Sequence, residues 1–584
     1  MNVFEHQSFL LRKPPSPKHP LGEQIRRSYR EIMTGGDESL RFDYPLEYFN
    51  VAALGLCIAL TQALLEPENL SELFKRLNTP VDETEFEEAI AGLRDTFSID
   101  GAVRFMQGPE PQRDKKGRLG GEDLSALILS IKKGDKEFLN RPSDGAVVAL
   151  DQIPLLLFSR STYFEKSAGR GYLTGTSGDL EIRTYLIDRT SLRRTIWLNV
   201  LAQDQQGEHF SPIDGSAGYD KWMWESPPAG DVAQGNVSLR SGLLWMVANG
   251  YIEIEEIATP RQCLVTGEMV EGRAGTGVIV SPTGKGYGVK VAREKGPEVR
   301  MSFFRHPNGP SQTIEPPKGT PFTRHLSVRE NSGLVGEMGG LFFSSAEFGG
   351  KGYHMAPVIK QLYELRGAFK KQLRTTRLQL LCFGFHMLSS KQNVHGGYES
   401  EMFEYPLLGE RDSDGLRALK NAEELMQFAA ERTGKIEWPL KRAIQLCTLT
   451  QIDTEISEKE DGRLEFKEKS KIDSGGMMSD SAMELWRHAG IELRELIAKI
   501  AAHGNSADDL SDAIPEIRLW WTRRIAEHAT TIFYRIFNDY SMSPTHMIAA
   551  FNAKRLFHGS LWKIDSGIYS ADATQTPQPE EAAS

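Results

Sequence analysis

Residues 169 to 178 read Gly-Arg-Gly-Tyr-Leu-Thr-Gly-Thr-Ser-Gly, four glycines and an arginine shortly after the apolar run Ile153-Pro154-Leu155-Leu156-Leu157-Phe158. Glycine backbone tolerates positive φ and lets a ligand approach its N–H groups closely. This is the best place in the chain for a polyanion to touch the main chain. A nucleotide loop is excluded: Gly169 and Gly171 occupy the first two positions of G-x-G-x-x-G, but the third is Thr174. The P-loop tripeptide Gly-Lys-[Ser/Thr] occurs nowhere. Two readings stay open, a plain flexible loop and a loop that packs against nucleic acid.

Other reactive constellations are scarce. The 13 histidines are scattered, with no His-Asp dipeptide, no H-E-x-x-H and no G-x-S-x-G elbow. Cys263-Leu264-Val265-Thr266-Gly267 has the outline of a zinc knuckle, but Thr266 stands where the second thiolate would be. The plainer reading of Cys263 is a small buried residue in a turn. No catalytic residue, metal or cofactor is therefore expected. Cations crowd two places. Lys285, Lys290, Arg293, Lys295 and Arg300 outnumber Glu294 and Glu298 around one expected hairpin. Arg366, Lys370, Arg374 and Arg377 recur at four, four and three, sharing one face of a helix beside the apolar Leu365, Phe369 and Leu373. Each is either a solvated face or a track for a phosphate backbone.

The elements that must hold these residues follow from length and texture. At 584 residues the chain is too long for one core. An apolar content of 40% with 25% charged residues describes an ordinary globular protein. The net charge of −10 argues against an autonomous nucleic-acid binder, though not against a subunit with local basic patches. Four dispersed cysteines suit a reducing cytoplasm, and no signal peptide or membrane partner is expected. Val51 to Leu65 reads as a core helix, broken in apolarity by Thr61 and Gln62.

The first forty residues, rich in proline and charge, are expected to be irregular and poor in strands. Helices are expected near 47–65 and 83–96, with a short helix and turn at 69–79. From about 180 to 345 short β-type runs alternate with Gly and Pro. Gly277 to Ala292 reads as a hairpin turning at Pro282-Thr283-Gly284. A glycine-rich loop is expected at 336–352. Beyond about 405, three apolar stripes recur at helical spacing: Leu416 to Ala429, Ala482 to Ile500, and Ile517 to Ile536. The segments 438–450 and 544–557 read as further helices. Trp520-Trp521 reads as core. Residues 452–476 read as a charged, mobile loop. The expected class is α+β, a large mixed N-terminal domain over 1–404, then a four-helix bundle over 405–565 and a disordered tail over 566–584.

In order along the chain, several segments resemble one family, the large subunit (CasA) of the type I-E CRISPR Cascade complex. They are Phe42-Asp43-Tyr44-Pro45-Leu46 with the helix after it, Phe105-Met106-Gln107, Phe138-Leu139-Asn140-Arg141-Pro142, the glycine segment, Thr190 to Leu201, Gly242-Leu243-Leu244-Trp245, the Cys263 turn, His306-Pro307-Asn308-Gly309-Pro310 and Phe383-Gly384-Phe385-His386-Met387. The resemblance spans roughly residues 40 to 562.

It implies a non-catalytic subunit that checks the protospacer-adjacent motif on double-stranded target DNA, begins strand separation and helps recruit a helicase-nuclease. Its partners would be the other Cascade subunits, the CRISPR guide RNA and the target duplex. Carried over by position, the family's glycine loop is Ala168-Gly169-Arg170-Gly171, and its lysine finger is Lys295. The wedge falls in Leu388 to Asn393, where Ser389 or Ser390 takes the place of the family's glutamine; Lys391, Gln392 and Asn393 follow. Phe138, Leu139, Asn140 and Arg141 would lie near the 5′ end of the guide. From other classes, a stand-alone hydrolase and a protein-only scaffold are the alternatives.

Overall fold

The structure is a computed structural model, and it describes residues 1–108, 121–122, 124–128, 147–163, 181–206, 220–226, 238–244, 250–280, 289–291, 299–301, 306–314, 322–328, 332–343, 352–368, 378–389, 394–406, 413–449, 454–458, 464–468, 475–504 and 506–564. Two compact units emerge. One holds Met1–Val328 and Gly349–Tyr405, the other Arg329–Phe348 and Pro406–Ser584.

The first unit opens with order where the proline content suggested none. Strands β1 (Phe9–Arg12) and β2 (Gln24–Arg27) pair antiparallel, and β3 (Arg41–Phe42) flanks β1. The prolines lie between β1 and β2, where no ladder donor is needed. Helix α1 (Tyr29–Thr34) follows a complete capping box, in which Ser28 and Glu31 satisfy each other's backbone N–H groups.

Helix α2 (Glu47–Leu64) is the axis of this unit. It is buried from Tyr48 to Ala63 apart from Asn50, so its apolar residues encircle it rather than forming a stripe. Its length and composition alone would allow a membrane span, but 83% of it is buried inside the fold. Helices α3 (Leu70–Asn78) and α4 (Glu83–Ile90) start on the side-chain caps Asn69 and Asp82. The segment 69–79 is thus a full helix, and 83–96 is helical only to Ile90.

Two later sheets correct the expected local pairings. The short strands β4 (Gly121–Glu122) and β5 (Val148–Ala149) both pair with β8 (Met269–Val280), as does the long β7 (Gly250–Gln262). The true hairpin is therefore β7–β8, turning through Cys263 and a positive-φ Gly267. Val278 pairs with Ile252, not with the β-type residues that follow it. Those residues, β9 (Val289–Val291), pair instead with β10 (Val299–Met301).

The apolar run Ile153–Phe158 is the start of helix α5 (Ile153–Tyr163), buried along its whole length. An apolar run without period suits a buried helix as well as a buried strand. Strand β6 (Arg183–Asp188) then leads to helix α6 (Leu192–Leu198), capped by Ser191, and helix α7 (Leu239–Leu243), capped by Ser238. Strands β11 (Ser311–Ile314), β12 (Phe322–His325) and β13 (Tyr353–His354) form a small sheet in the order β12-β11-β13.

The second unit is the expected helical bundle, with one addition. The glycine-rich segment at 336 onward carries a short helix, α8 (Met338–Leu341), and the compact unit that contains it is the helical one. Back in the first unit, helix α9 (Pro357–Ala368) carries Arg366, while Lys370, Arg374 and Arg377 lie outside the described residues.

The bundle helices are α10 (Ser413–Cys447), α11 (Gly475–His503), α12 (Ala507–Ser541) and α13 (Met547–Ile564). The first of them merges two expected helices, continuing through Pro439. Trp521 is fully buried, and its indole N–H donates to the Ala429 carbonyl at 3.0 Å. Phe533 stacks on both Phe537 and Phe557. Between α10 and α11, part of the expected loop is a β-ribbon, β16 (Thr454–Glu458) against β17 (Leu464–Glu468).

Candidate nucleic-acid interface

The sheet that organises the site contains β6, β14 (Leu378–Ser389) and β15 (Val394–Tyr405), in the order β15-β14-β6. Six residues of β6 pair with the first half of β14, from Leu378 opposite Asp188 to Phe383 opposite Arg183. The second half of β14 continues beyond β6 with β15 alone. The pairing shifts register after His386 and again after Met387, and ends at Ser389 opposite Val394. Such irregularities bend a strand and raise its twist. The wedge candidates Ser390, Lys391, Gln392 and Asn393 are thus the four residues that join the two strands. They lie outside the described residues, and of Ser389 only the backbone is placed.

The glycine segment falls between Tyr163, the last residue of α5, and Glu181. Ala168, Gly169, Arg170 and Gly171 also lie outside the described residues, but both flanking residues are firmly seated. The Tyr163 hydroxyl is 3.0 Å from that of Tyr185 on β6. The Tyr163 ring stacks on Phe385 at 5.6 Å and meets Phe383 edge-on at 5.7 Å. Burial pushes the Tyr185 phenol up to about 12 and that of Tyr163 well above its ordinary value, so both are neutral hydrogen-bonding groups. Helix α2 passes this pair at Gly55, where a Cβ would stand 2.5 Å and 2.7 Å from the two hydroxyls. Only hydrogen fits there.

The Glu181 end is held by a buried polar cluster. Glu181 and Arg183 occupy alternate positions of extended chain, so both side chains emerge on one face. Arg183 Nη2 lies 2.5 Å from Glu181 Oε2, and His325 Nδ1 lies 3.0 Å from Glu181 Oε1. The His306 N–H donates to His325 Nε2 at 3.1 Å, which makes Nε2 the acceptor and leaves the ring hydrogen on Nδ1, facing the carboxylate. The Asn308 N–H in turn donates to His306 Nδ1 at 3.1 Å, and the Thr184 N–H donates to the Asn308 carbonyl at 2.8 Å. Asn308 Nδ2 donates to Asn199 Oδ1, which also accepts the Leu186 N–H.

The electrostatics follow from these neighbours. Burial by itself would raise the Glu181 carboxyl, but Arg183 and His325 outweigh it and hold the group below the usual carboxylate range. Burial, with Arg183 and His325 nearby, drives the His306 imidazole well below its ordinary value. Backbone bonds close the frame: the Ile182 N–H donates to the Leu326 carbonyl, and the Leu326 N–H donates to the Pro310 carbonyl.

Lys295 lies outside the described residues, between β9 and β10. These strands pair Val291 with Val299 and Val289 with Met301, with Lys290 directly opposite Arg300. The chain then reaches His306 after residues 302–305, so the exit from this ribbon arrives at the Glu181 cluster. The guide-proximal candidates Phe138, Leu139, Asn140 and Arg141 are also outside the described residues.

The structure therefore places Tyr163 beside β14 and Glu181 at the start of β6, the two residues that flank the glycine segment among those described, while the expected site residues themselves lie outside the described residues. Residues that sequence reasoning missed are Tyr163, Tyr185, Glu181, Arg183 and His325. One signal was available: polar residues at 181 and 183 interrupt the run from Leu180 to Ile187 with the period of a strand. Among the described residues, no group of three or more His, Cys, Asp or Glu side chains is arranged to hold a metal ion. Cys263 is buried in its turn.

Comparison with known proteins gives one consistent answer. The family model described as CRISPR-associated protein Cse1 matches residues 20–532. Among solved structures, CasA from Thermus thermophilus is 14% identical, with 96% of this chain and 99% of that chain covered and a TM-score of 0.61. Cse1 from Thermobifida fusca is likewise 14% identical, with 97% and 98% covered and a TM-score of 0.60. A chain of a CRISPR RNA-guided surveillance complex is 12% identical, with 96% and 99% covered and a TM-score of 0.54. At such identities the likeness is one of fold.

Proposed function

The chain belongs to the Cse1 family of CRISPR-associated proteins, and on that footing we propose that it is the large, non-catalytic subunit of an RNA-guided surveillance complex that reads the protospacer-adjacent motif on duplex DNA. In this reading Ala168-Gly169-Arg170-Gly171 offers close backbone donors, and Lys295 reaches the minor groove. That groove shows only acceptors at A·T pairs, so such groups read it coarsely. The segment Ser389 to Asn393 enters the base stack, with Gln392 the best-suited side chain. Once strands part, guide pairing rather than protein reads sequence. The chain's partners are the guide RNA, the other complex subunits and a recruited helicase-nuclease, which supplies the cutting.

One observation carries the proposal. Tyr163 and Glu181, which flank the glycine segment, are held at the sheet of β6, β14 and β15, the wedge candidates fall between β14 and β15 in the chain, and His306, downstream of Lys295, bonds the same cluster. A net charge of −10 is compatible with this role, because neighbouring subunits can supply most phosphate contacts.

The test uses the assembled complex. Lys295→Ala is expected to weaken capture of target duplex while leaving capture of a pre-opened complementary strand nearly intact. Equal loss on both substrates would refute the role assigned to Lys295.

A further inference from the structure

We infer that Arg432 and Arg518, set around the ring of Phe428, form a site for the phosphate backbone of single-stranded nucleic acid. The site lies wholly within the helical unit. It goes beyond the motif reading proposed above, with which it shares no residue.

Both guanidiniums approach one aromatic ring. Arg432 Cζ lies 4.8 Å and Arg518 Cζ 5.0 Å from the centroid of Phe428. Phe428 and Arg432 are four apart on α10, and Lys435 follows at three, so these three share a helix face, while Arg518 comes from α12. The ring attracts each cation without neutralising it. Among the described residues neither arginine makes an ion pair, and Lys435 makes none. Carboxylates are at hand on the same helices, Glu424 and Glu431 on α10 and Asp512 and Glu516 on α12, yet none of them closes on either guanidinium.

The donors are likewise left open. Arg432 Nη1 donates to the Ile564 carbonyl at 2.6 Å, at the C-terminal end of α13. The Nε–H of Arg518 is buried and has no hydrogen-bond partner. A buried donor without an acceptor costs free energy, and two like charges at one ring repel. A phosphate group between them supplies both the counter-charge and the acceptor oxygens.

A second feature at this corner points to a nucleic-acid strand. Trp562, in the last turn of α13 and two residues before Ile564, is 55% exposed. Single strands bind where cations take the phosphates and an aromatic face takes a base. An acidic protein segment would answer the charge but give the indole nothing to stack on.

In the experiment the full-length chain is titrated into a labelled oligothymidylate of about 20 nucleotides, with fluorescence anisotropy read across a salt series. Arg518→Gln and the double variant Arg432→Gln/Arg518→Gln are compared with the parent and with Arg523→Gln, which removes an exposed cation elsewhere on α12. The double variant is expected to bind about tenfold more weakly and to reduce the slope of log K against log salt by about one. Trp562→Ala should weaken binding of the single strand about fivefold and of a duplex of equal length less than about twofold. Oligouridylate run in parallel tells RNA from DNA as the strand, and dependence of either on the two arginines supports the site.

Binding untouched by the double variant, or weakened equally by Arg523→Gln, would overturn the site. A polyglutamate peptide that binds with the same arginine dependence and displaces the strand would assign the pair to an acidic protein instead. A duplex bound as tightly as the single strand, with Trp562→Ala silent, would overturn the single-strand assignment. Arg518→Gln breaks no hydrogen bond of that side chain among the described residues, so it carries the comparison should the double variant lose the Ile564 contact and unfold. None of these outcomes bears on Lys295, whose test sets duplex against pre-opened strand in the assembled complex.

Discussion

The hydroxyls of Tyr163 and Tyr185 meet at 3.0 Å beneath helix α2, at the last residue of α5. The helix can pass there only because residue 55 has no side chain. Two aromatic residues of β14, Phe383 and Phe385, complete the seat, so the end of α5 is fixed by packing.

Gly55→Ala therefore forces a methyl group against both phenols. Overpacking of this kind costs about 1–3 kcal/mol. Thermal unfolding should show a lowered midpoint, and Gly55→Ala combined with Tyr185→Phe should recover part of it. No shift in the single variant would mean that the helix yields easily at this position.

Gly309→Ala makes the corresponding change at the other end. Its methyl group would press on the His325 ring and disturb the bond to the His306 N–H. The expected cost is again about 1–3 kcal/mol, through overpacking and a weakened buried hydrogen bond. Imidazole resonances of His325 should shift in a histidine-labelled sample, and an unchanged spectrum would contradict the contact.

Acid should loosen the same cluster from two directions. In the folded chain His306 takes up a proton only well below its ordinary value, whereas in the unfolded chain it does so near about 6.5. The unfolded form then binds more protons, so stability is full above that pH and falls as the pH drops below it. Glu181 has a lowered folded value as well, and its contribution is lost as the pH falls through that value. Denaturant midpoints from pH 8 to pH 4 should decline, and His306→Gln should flatten the upper part of the decline. A slope equal to that of the parent would show that His306 is not its source.

In the helical unit, Trp521→Ala removes a fully buried indole and leaves the Ala429 carbonyl without that donor. Large cavities of this kind cost about 3–5 kcal/mol. Hydrogen exchange should accelerate in 413–447 and 507–541, and Trp521→Phe should be milder. Unchanged exchange in both helices would rule out this indole as a keystone of the bundle.

What the sequence disclosed tracks the range over which each signal acts. Ala482 to Ile500 and Ile517 to Ile536 recur at helical spacing because each bundle helix buries one face, and those residues are indeed buried. Local turn chemistry misled at Gly277 to Ala292. Pro282-Thr283-Gly284 promises a hairpin, yet β8 prefers β7, whose partner residues precede it in the chain. Leu157-Phe158 shows the limit of apolar runs, which carry no period when an element is buried on every side. The Glu181–His325 contact joins residues far apart in sequence, and nothing in either neighbourhood announces the other. The glycine segment was legible as a segment, but its two seats were not.

Strand β14 has a consequence for how such a protein can change over time. Its first six residues are locked to β6 without a register fault, and the irregular pairs occur only near its far end. A one-residue slip in the locked half would turn every side chain to the opposite face, so that half is intolerant of insertion. The far end is different: residues added or exchanged between Ser389 and Val394 leave the six pairs with β6 undisturbed. One strand is thus divided into a fixed base and a far end, and the chain beyond that end can vary in length without refolding the base.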